Sequence, residues 1–203
     1  MTVYAWHFLA ADKSVANDTH HHGRTRTVRA GQTLHVAPPI VLCERGLHGS
    51  ERLIDALHYA PGPILCRTAH SGVIVRDEKK LASSVRHCVW MMDVTRVLYA
   101  LAADVAESAL LAERAAGREP HAASWAAVDA RRAWLRDEID DAKLSAARSA
   151  AESAARSAAA EWSAAEWSAA RSAAAWSAAW SAAWSAADVT LTSAVTRARR
   201  AMR

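Results

Sequence analysis

The sequence predicts an α+β protein: a small N-terminal α+β head followed by long Ala-rich helices, arranged as a helical hairpin or a coiled-coil-like tail. Three observations predict it. Short runs of β-branched and aromatic residues punctuated by Gly and Pro fill the chain to about Trp90. From Asp93 the apolar spacing becomes helical. All ten His, three Cys, seven Gly and five Pro lie at or before His121, and 142–187 is built almost wholly from Ala, Ser, Trp, Arg and Glu. The domains expected are a head over 1–92, an amphipathic helical pair over 93–141, an Ala/Ser/Trp repeat tail over 142–187 and a basic tip over 188–203.

In chain order, Val3 to Leu9 (VYAWHFL) reads as an opening strand. Thr25 to Val28, Thr33 to Val36 and Ile40 to Cys43 follow as short strands, with Gly31 and Pro38-Pro39 between them. Ser50 is placed to cap a helix from Glu51 to Tyr59, which presents Leu53, Ile54 and Leu57 on one side before Pro61-Gly62-Pro63 stops it. Ile64 to Thr68, Gly72 to Val75 and Val85 to Trp90 are further strands. Val94, Val97, Leu98, Leu101 and Val105 then mark one helical face, ended by Gly117 to Pro120. Trp125, Val128, Leu135 and Ile139 form a second stripe. Ala142 to Ala187 has high helix propensity throughout and as one helix would run about 69 Å at 1.5 Å per residue. The unit Trp-Ser-Ala-Ala recurs there, so that Trp176, Trp180 and Trp184, with Trp162 in nearly the same angular position, make a ridge that water would leave uncovered. Such a ridge predicts burial against another helix or a second copy of the chain. Asp188 to Thr192, rich in β-branched residues, reads as a weak break before an Arg-rich end.

Charge narrows the functional classes. The net charge of +4 equals the four arginines at the tip, Arg197, Arg199, Arg200 and Arg203, so the body is balanced and lacks the basic stripe of a nucleic-acid groove. The longest uncharged run, Ser172 to Ala187, is too short and too weakly apolar to span a bilayer, and the start carries no signal peptide pattern. Cys43, Cys66 and Cys88, an odd number, suit a reducing cytoplasm better than a disulfide framework.

Chemistry is sparse. The P-loop, dinucleotide-binding, zinc-protease and serine-elbow motifs are absent. Cys43 with His48 and Cys66 with His70 come close to zinc spacings, yet both cysteines end apolar runs where a buried thiol is the ordinary reading, and His20-His21-His22 sits in a polar loop. No metal and no cofactor are expected. The loop Gly46-Leu47-His48-Gly49-Ser50 combines two glycines, a titratable ring and the start of a helix, whose free N–H groups attract anions. It predicts a ligand site made of His7, Gly46, His48, Gly49 and Ser50, with Trp6 and Tyr59 supplying apolar contact. A small anionic ligand or nucleotide fits such a site.

Trp6-His7-Phe8, the stretch VLCERGLHGSERLIDALHYAPGPILCRTAHSG from Val41 to Gly72 and the Ala- and Trp-rich tail together resemble a family of uncharacterised proteins found in bacteriophages and actinobacterial genomes. The resemblance implies a phage-type origin, hence the host cytoplasm, and no particular activity. A second similarity is to ADP-ribosyltransferase-like domains, in which a glycine, an aromatic or His, and a Ser or Thr precede a helix lining the NAD pocket. It implies that His7, His48 and Ser50 would face a nicotinamide, although Glu78 lies in the charged loop 76–80 and not at a strand end where that fold's catalytic Glu stands. The leading expectation is a non-enzymatic accessory protein that self-associates through its tail and binds a small ligand or host protein through its head. An ADP-ribosyltransferase-like enzyme and an inert structural or decoration protein are the alternatives.

Overall fold

The computed structural model describes residues 1–15, 26–161 and 188–201. The His20 to His22 triplet and the assembly residues Trp162, Trp176, Trp180 and Trp184 lie outside the described residues. The chain divides into two compact units, one made of Met1–Thr95 together with Asp188–Arg203, the other of Arg96–Ala187.

The first unit is built on a five-stranded antiparallel sheet of β1 (Val3–Leu9), β2 (Thr33–His35), β3 (Leu47–Gly49), β4 (Ile64–Arg76) and β5 (Leu81–Asp93), in the order β1-β4-β5-β2, with β3 also paired to β5. The opening strand forms where the sequence places it. Two expected strands, Ile64 to Thr68 and Gly72 to Val75, are one: Gly72, at φ 75°, sits within β4 beside a register shift. Asp77, whose carboxylate accepts from the backbone N–H groups of Lys79 and Lys80, makes the hairpin turn into β5. Ile40 to Cys43 is not a strand. Val41 and Arg45 bridge each other instead, and Cys43 takes a left-handed φ of 66°.

Alternation sorts the sheet into two faces. One carries Val3, Ala5, Leu9, Ile64, Cys66, Leu81 and Cys88, and the buried Val28 and Leu34 pack with them. The other carries Trp6, Phe8, Leu65, Arg67, Trp90 and Met92. Against β1 packs α1 (Leu53–His58), with Leu53 and Ile54 buried. The helix is shorter than expected, and Ser50 does not cap it. Arg52 holds the N-cap position without a side-chain hydrogen bond, while Ser50 and Trp6 exchange backbone hydrogen bonds of 2.9 and 2.7 Å.

The largest departure concerns the C-terminal half. Among the described residues a long helical tail is not evident. The second unit holds α2 (Thr95–Ala115), which starts at its boundary, α3 (Ala122–Leu135) and α4 (Asp141–Glu161), separated by turns. Arg132 on α3 grips Glu107 of α2 through two bonds of 2.7 and 2.6 Å. Tyr99 lies against Trp134 and Arg114 over Trp125, so α2 and α3 run antiparallel. α3 packs on α4, and among the described residues Ala103, Val128 and Leu144 are buried in this unit's helices.

The expected basic tip is likewise no appendage. Residues 188–201 form a helix, α5, that belongs to the head, with Leu191 and Val195 at 0% and 2% exposure. The β-branched run that reads as a break is the apolar i, i+4 pair that docks this helix, and its burial overrides weak helix propensity. Among the described residues no helix is long and apolar enough to cross a membrane.

Candidate functional site

The head presents two polar assemblies, one on each face of the sheet. The first gathers the histidines. His70 is wholly buried: one ring nitrogen, Nε2, is 2.9 Å from Thr68 Oγ1 and the other, Nδ1, 2.8 Å from Ser83 Oγ. Thr68 Oγ1 also lies 3.0 Å from Ala5 O and Ser83 Oγ 2.8 Å from Val85 O; with the ring neutral, the hydroxyl on its N–H side accepts from the ring and donates to its backbone carbonyl, while the other hydroxyl gives its single proton to the bare ring nitrogen. Burial, reinforced by the Arg86 guanidinium and by His48, pulls the His70 pKa down to about 3. His7 and His48 are lowered for the same first reason, burial, followed by Arg86. His48 Nε2 accepts the Cys43 N–H at 3.1 Å, and its carbonyl accepts from Arg86 at 2.9 Å. The three rings are therefore neutral neighbours of one buried cation.

This is where the expected Gly46 to Ser50 site must be judged. The fold does bring His7 and His48 together, and it adds His70 and Arg86, which sequence spacing cannot reveal. It does not leave the loop open. A Cβ on Gly49 would stand 2.7 Å from His70 Nε2, and one on Gly46, at φ 148°, 2.9 Å from Ala82 and Ile40, so both glycines serve close packing. Ser50 is buried with its backbone spent on Trp6. The anion-attracting start of α1 is filled from within the chain: the Ile54 N–H donates to Asp188 Oδ1 at 2.9 Å. Trp6 faces the other side of the sheet. Tyr59 is exposed at the end of α1, edge-on to His58 and beneath Lys80.

The zinc spacings dissolve in the same way. Cys43 Sγ accepts from Lys80 Nζ at 2.8 Å, while Cys66 and Cys88 are buried in the apolar cluster. Among the described residues no group of three His, Cys, Asp or Glu could hold a metal ion.

The second assembly lies on the opposite face. Register places Trp6 of β1 beside Arg67 of β4, and Arg67 beside Trp90 of β5. The shift between Arg67 and Thr68 sets this row, because the extra residue in β5, Val89, turns Trp90 into line with Arg67. The two indoles meet edge to face at 5.8 Å. Arg67 lies 4.4 Å over the Trp6 ring, and Arg199 of α5 lies 4.5 Å over the Trp90 ring. Together with Val195, Thr196 and Arg200 they line an open groove of about 340 Å³. Among the described residues no carboxylate pairs with Arg67, Arg199 or Arg200. Burial lowers the Arg67 pKa, with the Tyr4 phenol opposing the shift.

Of this groove only Trp6 is legible as a site residue in the sequence. Arg67 and Trp90 look like outward positions of separate strands until the pairing register joins them, and Arg199 and Arg200 look like part of a solvated end. The chain matches no family model, no curated protein and no solved structure.

Proposed function

We propose that this protein is a non-enzymatic binding protein of phage type whose head takes a small anionic ligand in the Trp6–Arg67–Trp90 groove. One observation carries the reading: three guanidinium groups line a single aromatic groove in which no described carboxylate neutralises them. Two lie over indole rings, 4.4 and 4.5 Å from their centres, a contact that restrains the cation without consuming its N–H donors. The volume of about 340 Å³ falls at the small end of the range for ligand sites, roughly 300–1,000 Å³. Favouring binding over catalysis, His70 on the other face is buried between two hydroxyls and packed against Gly49, an arrangement suited to holding a sheet together. The phage origin rests on the sequence resemblance.

Calorimetric titration of the full chain with a panel of nucleotides and simple anions tests this. Anionic compounds are expected to bind. Arg67→Ala is expected to weaken them about 10- to 100-fold, the equivalent of one charge-assisted hydrogen-bonding group at about 1.5–3 kcal/mol. A panel in which no anion binds the wild-type protein overturns the reading.

A further inference from the structure

We infer that the groove selects a phosphomonoester, a terminal phosphate carrying three free oxygens, and that the two ends of the chain grip it together. The inference rests on the anion-binding reading above and specifies the ligand class. It starts from how the cations are mounted. Arg67 comes from the middle of β4 and is held between Tyr4 and Trp6, at 5.6 and 4.4 Å from their ring centres. Arg199 and Arg200 come from α5, and Arg199 is stacked on Trp90. Because the two indoles meet at 75°, the rings that carry Arg67 and Arg199 are turned in different directions, and the two cations reach the groove from separate elements, β4 and α5.

A planar carboxylate offers two oxygens in one plane and satisfies one fork. A phosphodiester likewise keeps only two terminal oxygens. A phosphomonoester presents three oxygens tetrahedrally and, above its second ionisation near pH 6, carries about two negative charges against the cations. Thr196, exposed on α5, lines the groove but donates its hydroxyl proton to Thr192 O at 2.8 Å, so the donors to the phosphate are the guanidinium groups. The organic part of the ester has the indole edges and the Val195 side of the groove to lie against.

The lining makes the test clean. Trp6, Arg67, Trp90, Val195, Thr196, Arg199 and Arg200 include no histidine, carboxyl or thiol. The remaining neighbour of Arg67 is the Tyr4 phenol. A change of affinity between pH 5.5 and 7.5 therefore reports the second ionisation of the ligand's phosphate.

The experiment titrates the full chain calorimetrically with inorganic phosphate, adenosine 5′-monophosphate, adenosine 3′,5′-cyclic monophosphate and adenosine, at pH 5.5 and 7.5. The monoester is expected to bind at least about tenfold tighter than the cyclic diester and to tighten as pH rises, while the diester keeps one affinity and adenosine does not bind. Inorganic phosphate is expected to follow the pH trend of the monoester. Arg67→Lys, which keeps the charge and loses the fork, should cost the monoester about tenfold and the diester little. Arg199→Lys, on the helix side, repeats the comparison if Arg67→Lys fails to fold. Equal binding of monoester and diester with no pH trend overturns the phosphomonoester inference and leaves a general anion site. Tight binding of adenosine points to a base-reading site and overturns it too. Binding of none of the four overturns the groove reading itself.

Discussion

His70 shows what one buried residue commits the fold to. Its ring is sealed between Thr68 and Ser83, faced by Arg86 and covered by Gly49, whose missing side chain makes the room. Its folded pKa is about 3, whereas an unfolded histidine titrates near 6.5. Between those values the unfolded chain binds more protons than the folded one, so stability is full above about pH 6.5 and is lost as pH falls toward 3. His7 and His48, lowered in the same direction, act in the same window. Each neutral histidine contributes at most about 1.4 kcal/mol per pH unit. Urea unfolding at pH 7.0, 6.0 and 5.0 should show stability declining across this range, above the ordinary titration of carboxylates. His70→Asn, although less stable at pH 7, should show a shallower decline. A flat profile from pH 7 to 5 would contradict a neutral histidine cluster. The sequence displays these histidines as a scatter at positions 7, 48 and 70, and nothing in their spacing announces that the fold draws them around one cation, Arg86. Ser50 illustrates the same limit: a good cap by composition, it is drawn into a bridge with Trp6 because β1 passes beside it.

At the scale of elements, the decisive piece is α5. Leu191 and Val195 anchor it, Asp188 caps the start of α1 from 134 residues away, and Arg199 and Arg200 complete the groove. The Arg52–Asp188 pair, with Arg52 half exposed, adds little on its own. Replacing Asp188 by Ala removes an acceptor from an otherwise unsatisfied helix N–H. It should lower stability by about 0.5–2 kcal/mol, the usual cost of losing an N-terminal cap. Because Asp188 does not line the groove, any loss of anion affinity in Asp188→Ala would arise from loosened docking of α5, and we expect such a loss. Thermal melting with calorimetric titration of the variant checks both, and unchanged affinity would show that α5 holds its place without this cap. Much of the element order was legible beforehand. Periodicity marked β1, α2 and α3, and the Gly and Pro punctuation separated the rest. What hid α5 was propensity: Asp188-Val189-Thr190-Leu191-Thr192 is a poor helix in isolation and a good one only where a sheet covers Leu191 and Val195.

For the whole molecule, composition separates residues 1–92 from all that follows, whereas the first compact unit takes in Met1–Thr95 and Asp188–Arg203 together. The last segment belongs with the first in one compact unit, where α5 lies beside the Trp6–Trp90 row. Composition cannot show such closure, because the contacts join residues separated by most of the sequence. Gly49 of the expected loop faces His70, across the sheet from the observed groove, and that difference makes a direct test possible. The measurement is an NMR titration of the full chain with adenosine 5′-monophosphate, following the indole N–H signals of Trp6 and Trp90 and the amide signals of Gly46, His48 and Gly49. The groove account predicts that both indole signals shift together and saturate, while the Gly46 to Gly49 amides stay nearly still. Saturable shifts of the loop amides with the two indoles unmoved would contradict it, and would return the site to the histidine face of the sheet.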